Sequence, residues 1–264
     1  MKWSREAEEA VSKVPFFVRK RVKKRVAEEA ARSGAREVAL EHVNACRKRF
    51  LENMEEEVKG HQLERCFGAN GCPNRALEEN GLVEKLQQVL DRRNLKESLK
   101  ERVKGPLKIH HEFRVSVSDC PNACSRPQIV DVGLIGTSRP TVTAVPCTDC
   151  GACVNVCREE AVNLMENAEG PSIDEDRCLS CGQCIRVCPS GTLEGERKGY
   201  RVLLGGKLGR HPQLGRELPG IYSGEQVMDV VERCLDHYLK HNKAGERFGE
   251  IINREGIMEI LKRE

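Results

Sequence analysis

Residues 113–136 read FRVSVSDCPNACSRPQIVDVGLIG. The first six residues alternate between apolar and polar side chains, which predicts a half-buried strand. The last eight are mostly apolar and end in glycine, which predicts a second, buried strand. The loop between the two strands carries two thiols, Cys120 and Cys124. The segment therefore predicts a pair of cysteines at the end of a sheet strand.

A second pair of cysteines lies upstream, at Cys66 and Cys72 in the segment CFGANGCP. The two pairs have the spacings C-x5-C and C-x3-C, and each pair lies in a loop. Proline, asparagine and small residues in the second loop let the backbone approach a bulky ligand closely. We therefore predict one four-thiol metal site, formed by Cys66, Cys72, Cys120 and Cys124. These four residues are called the third set below, after two sets that lie later in the chain.

Two further cysteine runs have the spacing C-x2-C-x2-C-x3-C, at residues 147–157 and again at 178–188, where Pro189 follows. Bacterial two-cluster ferredoxins have this spacing, and the fourth cysteine of each run ligates the other cluster. We therefore assign a first set, Cys147, Cys150, Cys153 and Cys188, and a second set, Cys157, Cys178, Cys181 and Cys184. A pair of zinc knuckles is the alternative, but the duplicated eight-cysteine spacing favours two [4Fe–4S] clusters.

Composition limits the class of protein. The net charge of +3 argues against a dedicated nucleic-acid binder. No apolar run is long enough for a transmembrane helix, and the N-terminus has no secretory signal, so we expect a cytoplasmic protein that binds no membrane. In that compartment fourteen cysteines indicate metal ligands rather than disulfides.

The C-x5-C and C-P-N-x-C pairs resemble the cluster-binding signature of siroheme-dependent sulfite and nitrite reductases, and residues 113–128 are especially similar. The resemblance implies that the third set binds a [4Fe–4S] cluster and that Cys124 also bridges to the siroheme iron. Dissimilatory and anaerobic members of the family carry a ferredoxin module after this motif. The expected cofactors are therefore three [4Fe–4S] clusters and siroheme, with Cys124, Asn122, Gly205 and Gly206 as candidate cofactor-binding residues.

The same resemblance implies reduction of a small inorganic anion, sulfite to sulfide or nitrite to ammonia. Electrons from an external donor, a ferredoxin or another redox protein, would pass through the ferredoxin clusters to the siroheme-coupled cluster. Anion reduction needs cationic side chains near the open iron position. The candidate catalytic residues are Arg114, Arg126, Lys207 and Arg210.

Full-length siroheme reductases have two similar halves, and this chain resembles one of them. Three interpretations remain open at this point. The chain is a minimal reductase, or a subunit whose partner, identical or different, completes the pocket. Alternatively, it is an electron-transfer subunit without siroheme in a larger redox complex.

The predicted architecture is α/β or α+β, a siroheme-reductase-type sheet-and-helix domain interrupted by a 2[4Fe–4S] ferredoxin domain. The expected boundaries are residues 60–140 and 198–264 for the sheet domain and 141–197 for the insert. Residues 1–59 form a helical appendage that resembles the small helical domain of dark-operative protochlorophyllide reductase. Its helices are predicted from about Trp3 to Pro15, from Val18 to Ser33 and from Arg36 to Lys59.

Overall fold

The computed structural model describes residues 1–78, 81–164 and 170–261. These residues form two compact units. The smaller unit consists of Met1–Lys59 and Val103–His110, and the larger one consists of Gly60–Arg102 and His111–Glu264. Among the described helices, none combines the length and the apolar character needed to cross a bilayer.

The smaller unit contains helices and a pair of short strands: β1 (Lys2–Trp3), α1 (Arg5–Ser12), α2 (Phe16–Arg32), β2 (Glu37–Val38) and α3 (Leu40–Glu57). Its core consists of Ala7, Val26, Ala30 and Val38. The predicted helices are confirmed, but α1 begins two residues after Trp3 and α3 begins after β2. Strands β1 and β2 pair in parallel over two residues each, which is too short to leave a periodic pattern in the sequence.

The larger unit contains a mixed sheet with helices. Its elements are β3 (His61–Arg65), α4 (Leu82–Arg92), α5 (Leu95–Arg102), β4 (Phe113–Ser118), β5 (Val132–Val142), α6 (Ala152–Val156), β6 (Val162–Asn163), β7 (Ser172–Ile173), α7 (Gln183–Val187), β8 (Leu193–Leu204), β9 (Arg216–Glu217), α8 (Gly224–His241), α9 (Phe248–Glu255) and α10 (Met258–Leu261).

The main sheet has the strand order β3-β4-β5-β8-β9. Strands β3, β4 and β5 are parallel, whereas β8 and β9 continue the sheet in antiparallel pairing. One row of the sheet aligns Leu63, Val115, Val132 and Leu204. Because β3 and β4 are parallel neighbours, their carboxyl ends lie at the same edge, which positions the loops that follow them.

Helix α8 covers part of this sheet. The Ser223 hydroxyl caps the first turn of α8 by accepting a hydrogen bond from the Gln226 backbone amide. In return, Gln226 Oε1 accepts a hydrogen bond from the Ser223 backbone amide. The buried residues of α8 recur at helical spacing: Val227, Val230, Val231, Cys234, Leu235 and Tyr238. The Phe113 ring on β4 lies 5.1 Å from the Tyr238 ring and 5.4 Å from the Phe248 ring, between centroids. This aromatic cluster joins the strand before Cys120 to the C-terminal helices.

Strands β5 and β8 pair from Val132–Leu204 to Val142–Leu193. The segment between them therefore leaves the main sheet and rejoins it at adjacent positions. The described part of the intervening segment contains α6, the β6–β7 pair and α7. Gly151 and Gly182 precede the two short helices with φ of 71° and 72°, a conformation that glycine adopts without strain. The repeat of the cysteine spacing is therefore a repeat of local structure as well.

Candidate metal centres

The third set lies at the carboxyl ends of two neighbouring parallel strands. Cys66 directly follows β3, and its amide donates a hydrogen bond to the Val117 carbonyl on β4 over 2.9 Å. Cys120 lies two residues after the end of β4. In the first loop, Gly71 adopts a φ of 91°, and the Cys72 amide donates to the Gly68 carbonyl over 3.3 Å. The sheet therefore brings together two loops that are far apart in sequence.

The thiols of the third set influence one another electrostatically. Burial raises the pKa of the Cys120 thiol, and the other three thiols of the set raise it further. Donors nevertheless reach the sulfurs. The amides of Gly68 and Asp119 lie 3.4 Å and 3.2 Å from Cys66 Sγ. Two backbone donors thus lie within hydrogen-bond distance of the Cys66 sulfur.

Cys124 differs from Cys120 in its exposure. Cys120 is buried, whereas Cys124 is exposed. The Asn122 side-chain amide donates to Cys124 Sγ over 3.0 Å and so holds the exposed sulfur in one orientation. Ala123 between them has a φ of 53°, which turns the loop within a few residues. One thiol of the third set is thus accessible to a group from outside.

Asp119 is a residue that sequence reasoning missed. Its buried carboxylate accepts a hydrogen bond from Arg65 Nη2 over 3.2 Å, and its carbonyl accepts one from the Ala76 amide over 2.7 Å. A Cβ at Gly68 would lie 2.2 Å from Asp119 Oδ2, so the first loop packs directly on this carboxylate. Its position immediately before Cys120 shows that it lies near the site. That position does not predict that Asp119 contacts both cysteine loops.

The second set includes a cysteine from the other run. Burial raises the pKa of the Cys184 thiol, and the nearby thiols of Cys181, Cys178 and Cys157 contribute in the same direction. Cys157 therefore lies within electrostatic reach of the run that begins at Cys178. The Ala161 amide donates to Cys157 Sγ over 3.3 Å.

Two thiols of the first set also have shifted pKa values, in opposite directions. Burial raises the pKa of the Cys153 thiol, and Cys147 and Cys150 raise it further. For Cys188, burial alone would raise the pKa, but hydrogen bonds from the Ser190 hydroxyl and nearby amides lower it to about 7. Cys153 and Cys184, one from each run, share a small core with Val162 and Leu193, which brings the two runs together.

Within residues 1–78, 81–164 and 170–261, no three His, Cys, Asp or Glu side chains lie grouped closely enough to hold a single metal ion.

The four candidate basic residues have different surroundings. Lys207 is buried, and its Nζ lies 2.9 Å from Glu250 Oε1. Arg126 is exposed and donates to Glu64 Oε1 over 3.3 Å. The Arg114 amide donates to the buried carboxylate of Asp131 over 2.8 Å. Arg210 is exposed in the turn between β8 and β9.

The candidate cofactor residues Gly205 and Gly206 are closely packed against other backbone segments. A Cβ at Gly206 would lie 2.3 Å from the Gln128 carbonyl oxygen. Gly205 has a φ of 78°, and its Cβ would lie 2.9 Å from Ile252 Cδ1. Close main-chain packing therefore favours glycine at position 206, and the positive φ favours it at position 205.

Comparisons with known proteins agree with this description. The model of the family described as nitrite and sulphite reductase 4Fe-4S domain matches residues 62–263. The model of the family described as proto-chlorophyllide reductase 57 kD subunit matches residues 3–47.

Two curated relatives cover different shares of their own length. Coenzyme F420-dependent sulfite reductase of Methanocaldococcus jannaschii is 32% identical over 202 residues, which are 73% of this chain but only 31% of the relative. An anaerobic sulfite reductase subunit of Salmonella typhimurium is 27% identical over 253 residues, which are 87% of this chain and 70% of the relative. This chain thus spans less than a third of the first relative.

The crystal structure of dissimilatory sulfite reductase I matches with a TM-score of 0.51 at 19% identity, covering 81% of this chain and 56% of that one. The likeness shows a shared mixed helix-and-sheet fold. The family model matches well over half of the residues, which establishes that this chain belongs to the nitrite and sulphite reductase 4Fe-4S domain family.

Proposed function

We propose that this chain is an iron–sulfur and siroheme-binding component of a sulfite reductase. The observation that carries the proposal is the third set, whose four thiols lie in two loops at the ends of neighbouring parallel strands, with Cys124 alone of the four exposed. The two relatives named above are a sulfite reductase and a component of one, which favours sulfite over nitrite as the substrate.

The residues of the three sets fit three [4Fe–4S] clusters. Each set supplies four thiols, and described amides donate to sulfurs in every set, as from Asp119 to Cys66, Ala161 to Cys157 and Leu193 to Cys188. When bound, such clusters accept and release single electrons at potentials that hydrogen bonds to sulfur tune. The chain's own contribution is to hold the thiolates and to supply these donors.

The residues around Cys124 fit a siroheme in part. Siroheme would supply an iron at which the bound anion is reduced. Cys124 offers an exposed thiolate, and Asn122 orients it. Arg126 and Arg210 are exposed cations that can neutralise carboxylates or an oxyanion. Lys207, by contrast, is engaged by Glu250 and holds the turn between β8 and β9.

The proposal includes a division of the chain into three domains. Residues 141–197 would be an inserted 2[4Fe–4S] ferredoxin domain within a siroheme-type domain of residues 60–140 and 198–264. Residues 1–59 would be the helical appendage. A redox protein would donate electrons, and a partner subunit or a second copy of the chain would complete the pocket.

An electron-transfer subunit without siroheme is the second candidate. The Lys207–Glu250 pair favours it, because one of the four candidate anion-binding cations is neutralised inside the protein. In that case the three clusters would serve a catalytic chain elsewhere in the complex.

A visible spectrum of anaerobically prepared protein separates the two functions. Iron, acid-labile sulfide and extracted tetrapyrrole are assayed on the same sample. We expect about twelve cluster irons for three [4Fe–4S] clusters, together with a chlorin-type red band and extractable siroheme. Cluster absorption without tetrapyrrole, even when siroheme is supplied during expression, would overturn the siroheme-binding function and leave the electron-transfer subunit.

A further inference from the structure

The short segment after Cys72 contacts helix α7, which contains Cys184 and ends at the residue before Cys188. Gln183 Nε2 donates to Asn74 Oδ1 over 3.3 Å. Arg186 Nη1 donates to the Pro73 carbonyl. Pro73 and Asn74 directly follow a ligand of the third set, and Gln183 lies next to Cys184 of the second set. These contacts join the two sets across a separation of 109 or more residues.

Strand β5 makes a second connection to the same run. The Ser138 amide donates to the Ser180 carbonyl over 2.8 Å, and Ser138 pairs with Cys181 in an isolated parallel bridge. A Cβ at Gly182 would lie 3.0 Å from Ser138 Cβ, so the loop of the second run packs closely on the strand. The second run is therefore held by backbone contacts as well as by side chains.

Both connections reach the third set through Asp119, the residue before Cys120. The Ala76 amide donates to the Asp119 carbonyl, which ties the segment after Cys72 to the second loop. On β5, a Cβ at Gly136 would lie 2.7 Å from that same carbonyl oxygen. The residues that flank the second set thus contact residues that flank the third set on two sides.

The described contacts of the first set lie within the segment that joins β5 to β8 and at its boundaries. Thr192 Oγ1 donates to the carbonyl of Pro146, the residue before Cys147, over 3.1 Å. The Thr143 amide donates to the Thr192 carbonyl over 2.8 Å. Cys150 is exposed, whereas Cys181, the thiol at the same place in the second run, is half-buried.

We propose that the second set is the direct neighbour of the third set, and that Gln183 and Arg186 are positioning residues that hold it there. The first set is then the outer one, at the end open to a donor protein. The inference rests on the proposed function in that the three sets must hold clusters, and it adds their spatial order.

The order is tested with two matched double variants, Cys150→Ala/Cys153→Ala and Cys181→Ala/Cys184→Ala. Each removes two ligands from one set and none from the others. The readout is the electron paramagnetic resonance spectrum of the dithionite-reduced holoprotein, in which neighbouring reduced clusters split and broaden one another's signals. We expect the third-set signal to keep its broadening in the first variant and to lose it in the second.

The reverse pattern, or equal loss in both variants, overturns the order. Far-UV circular dichroism and the iron remaining in the untouched sets show that each variant is folded. Wild-type protein with fewer than about twelve irons would contradict the proposed function itself. Full iron content with the reverse pattern contradicts only the spatial order.

The positioning role is tested separately with Gln183→Ala/Arg186→Ala. We expect the wild-type iron content with weakened broadening of the third-set signal. Arg177→Ala is the matched control, because Arg177 directly precedes the second run but pairs with Glu160. Equal broadening in wild type, double variant and control would overturn the role of Gln183 and Arg186.

Discussion

The backbone amide of Asp119 donates a hydrogen bond to Cys66 Sγ over 3.2 Å, although the two residues lie 53 positions apart. The contact exists because β3 and β4 are parallel neighbours whose carboxyl ends lie side by side. Through its carboxylate and carbonyl, Asp119 also binds Arg65 and Ala76. One residue thus connects the segments that carry the ligands of the third set.

We expect Asp119→Ala to destabilise the protein and to reduce its iron content. The substitution removes one partner of a largely buried ion pair, which costs about 3 kcal/mol. The thermal midpoint should therefore fall by roughly 5–10 °C. Thermal unfolding under anaerobic conditions and iron analysis of the same sample measure both effects.

Glu64→Ala is the matched control for this substitution. Glu64 also pairs with an arginine, Arg126, but the two side chains are 52% and 68% exposed. Loss of such a surface pair changes stability by less than about 1 kcal/mol. Equal effects of the two substitutions would show that Asp119 has no special connecting role.

Gly206→Ala should destabilise the larger unit without removing a metal ligand. The added Cβ would lie 2.3 Å from the Gln128 carbonyl oxygen. Because the atoms on that side belong to the main chain, they cannot easily shift to make space for it. Overpacking of this kind costs about 1–3 kcal/mol. The thermal midpoint of the variant measures the loss.

Gly170→Ala provides the comparison for Gly206→Ala. Its Cβ would meet Val142 and Thr192 at 3.4 Å and 3.5 Å, which is ordinary van der Waals contact. A near-wild-type midpoint is expected for this variant. If both alanine variants unfold alike, close packing does not explain the glycine at position 206.

Cys124→Ala should lower the iron content from about twelve toward about eight per chain, because the third set loses a ligand. Bound siroheme should be lost with it. Cys46→Ala is the control, since Cys46 lies in α3 of the smaller unit, outside the three sets. Unchanged iron in Cys124→Ala would mean that this exposed thiol ligates no metal.

Stability should rise with pH in the range below about 6.5 because of His237. Burial lowers the pKa of His237 below 6.5, and the charge of His241, whose ring stacks at 4.3 Å, lowers it further. The folded protein then binds this proton more weakly than the unfolded chain, so protonation favours unfolding. The lost stability is regained as the pH rises to the pKa that His237 has in the unfolded chain.

Thermal midpoints measured between pH 5.5 and 7.5 test this dependence. In His237→Asn the slope over that range should be smaller than in wild type. His211→Asn, which replaces an exposed histidine in the turn between β8 and β9, should keep the wild-type slope. A slope that survives in His237→Asn would assign the effect to another group.

Several elements were predictable because their signals are local. The alternation from Phe113 predicts β4, and Ser223 with Gln226 marks the start of α8. Helices α2 and α3 also follow from periodicity. Strand β5 begins three residues later than expected, at Val132, because a 3-10 turn at Pro127–Ile129 precedes it.

The surroundings of the candidate site residues were less predictable. The pairing of Lys207 with Glu250 spans 43 positions and depends on how α9 packs against the end of β8. The family resemblance made Gly205 and Gly206 candidate cofactor-binding residues, whereas in the structure other segments pack close to both. In both cases the deciding contact comes from a distant segment.

The sequence by itself predicted the cysteine sets, because a duplicated C-x2-C-x2-C-x3-C spacing is that of two-cluster ferredoxins and two further cysteine pairs remained. It also determined the family resemblance, which the family model bears out. Tertiary structure alone decided that Arg186 reaches Pro73 across 113 positions and that Asp119 binds Cys66. Those contacts depend on strand order and on the docking of α7, and neither leaves a periodic or spaced pattern in the chain.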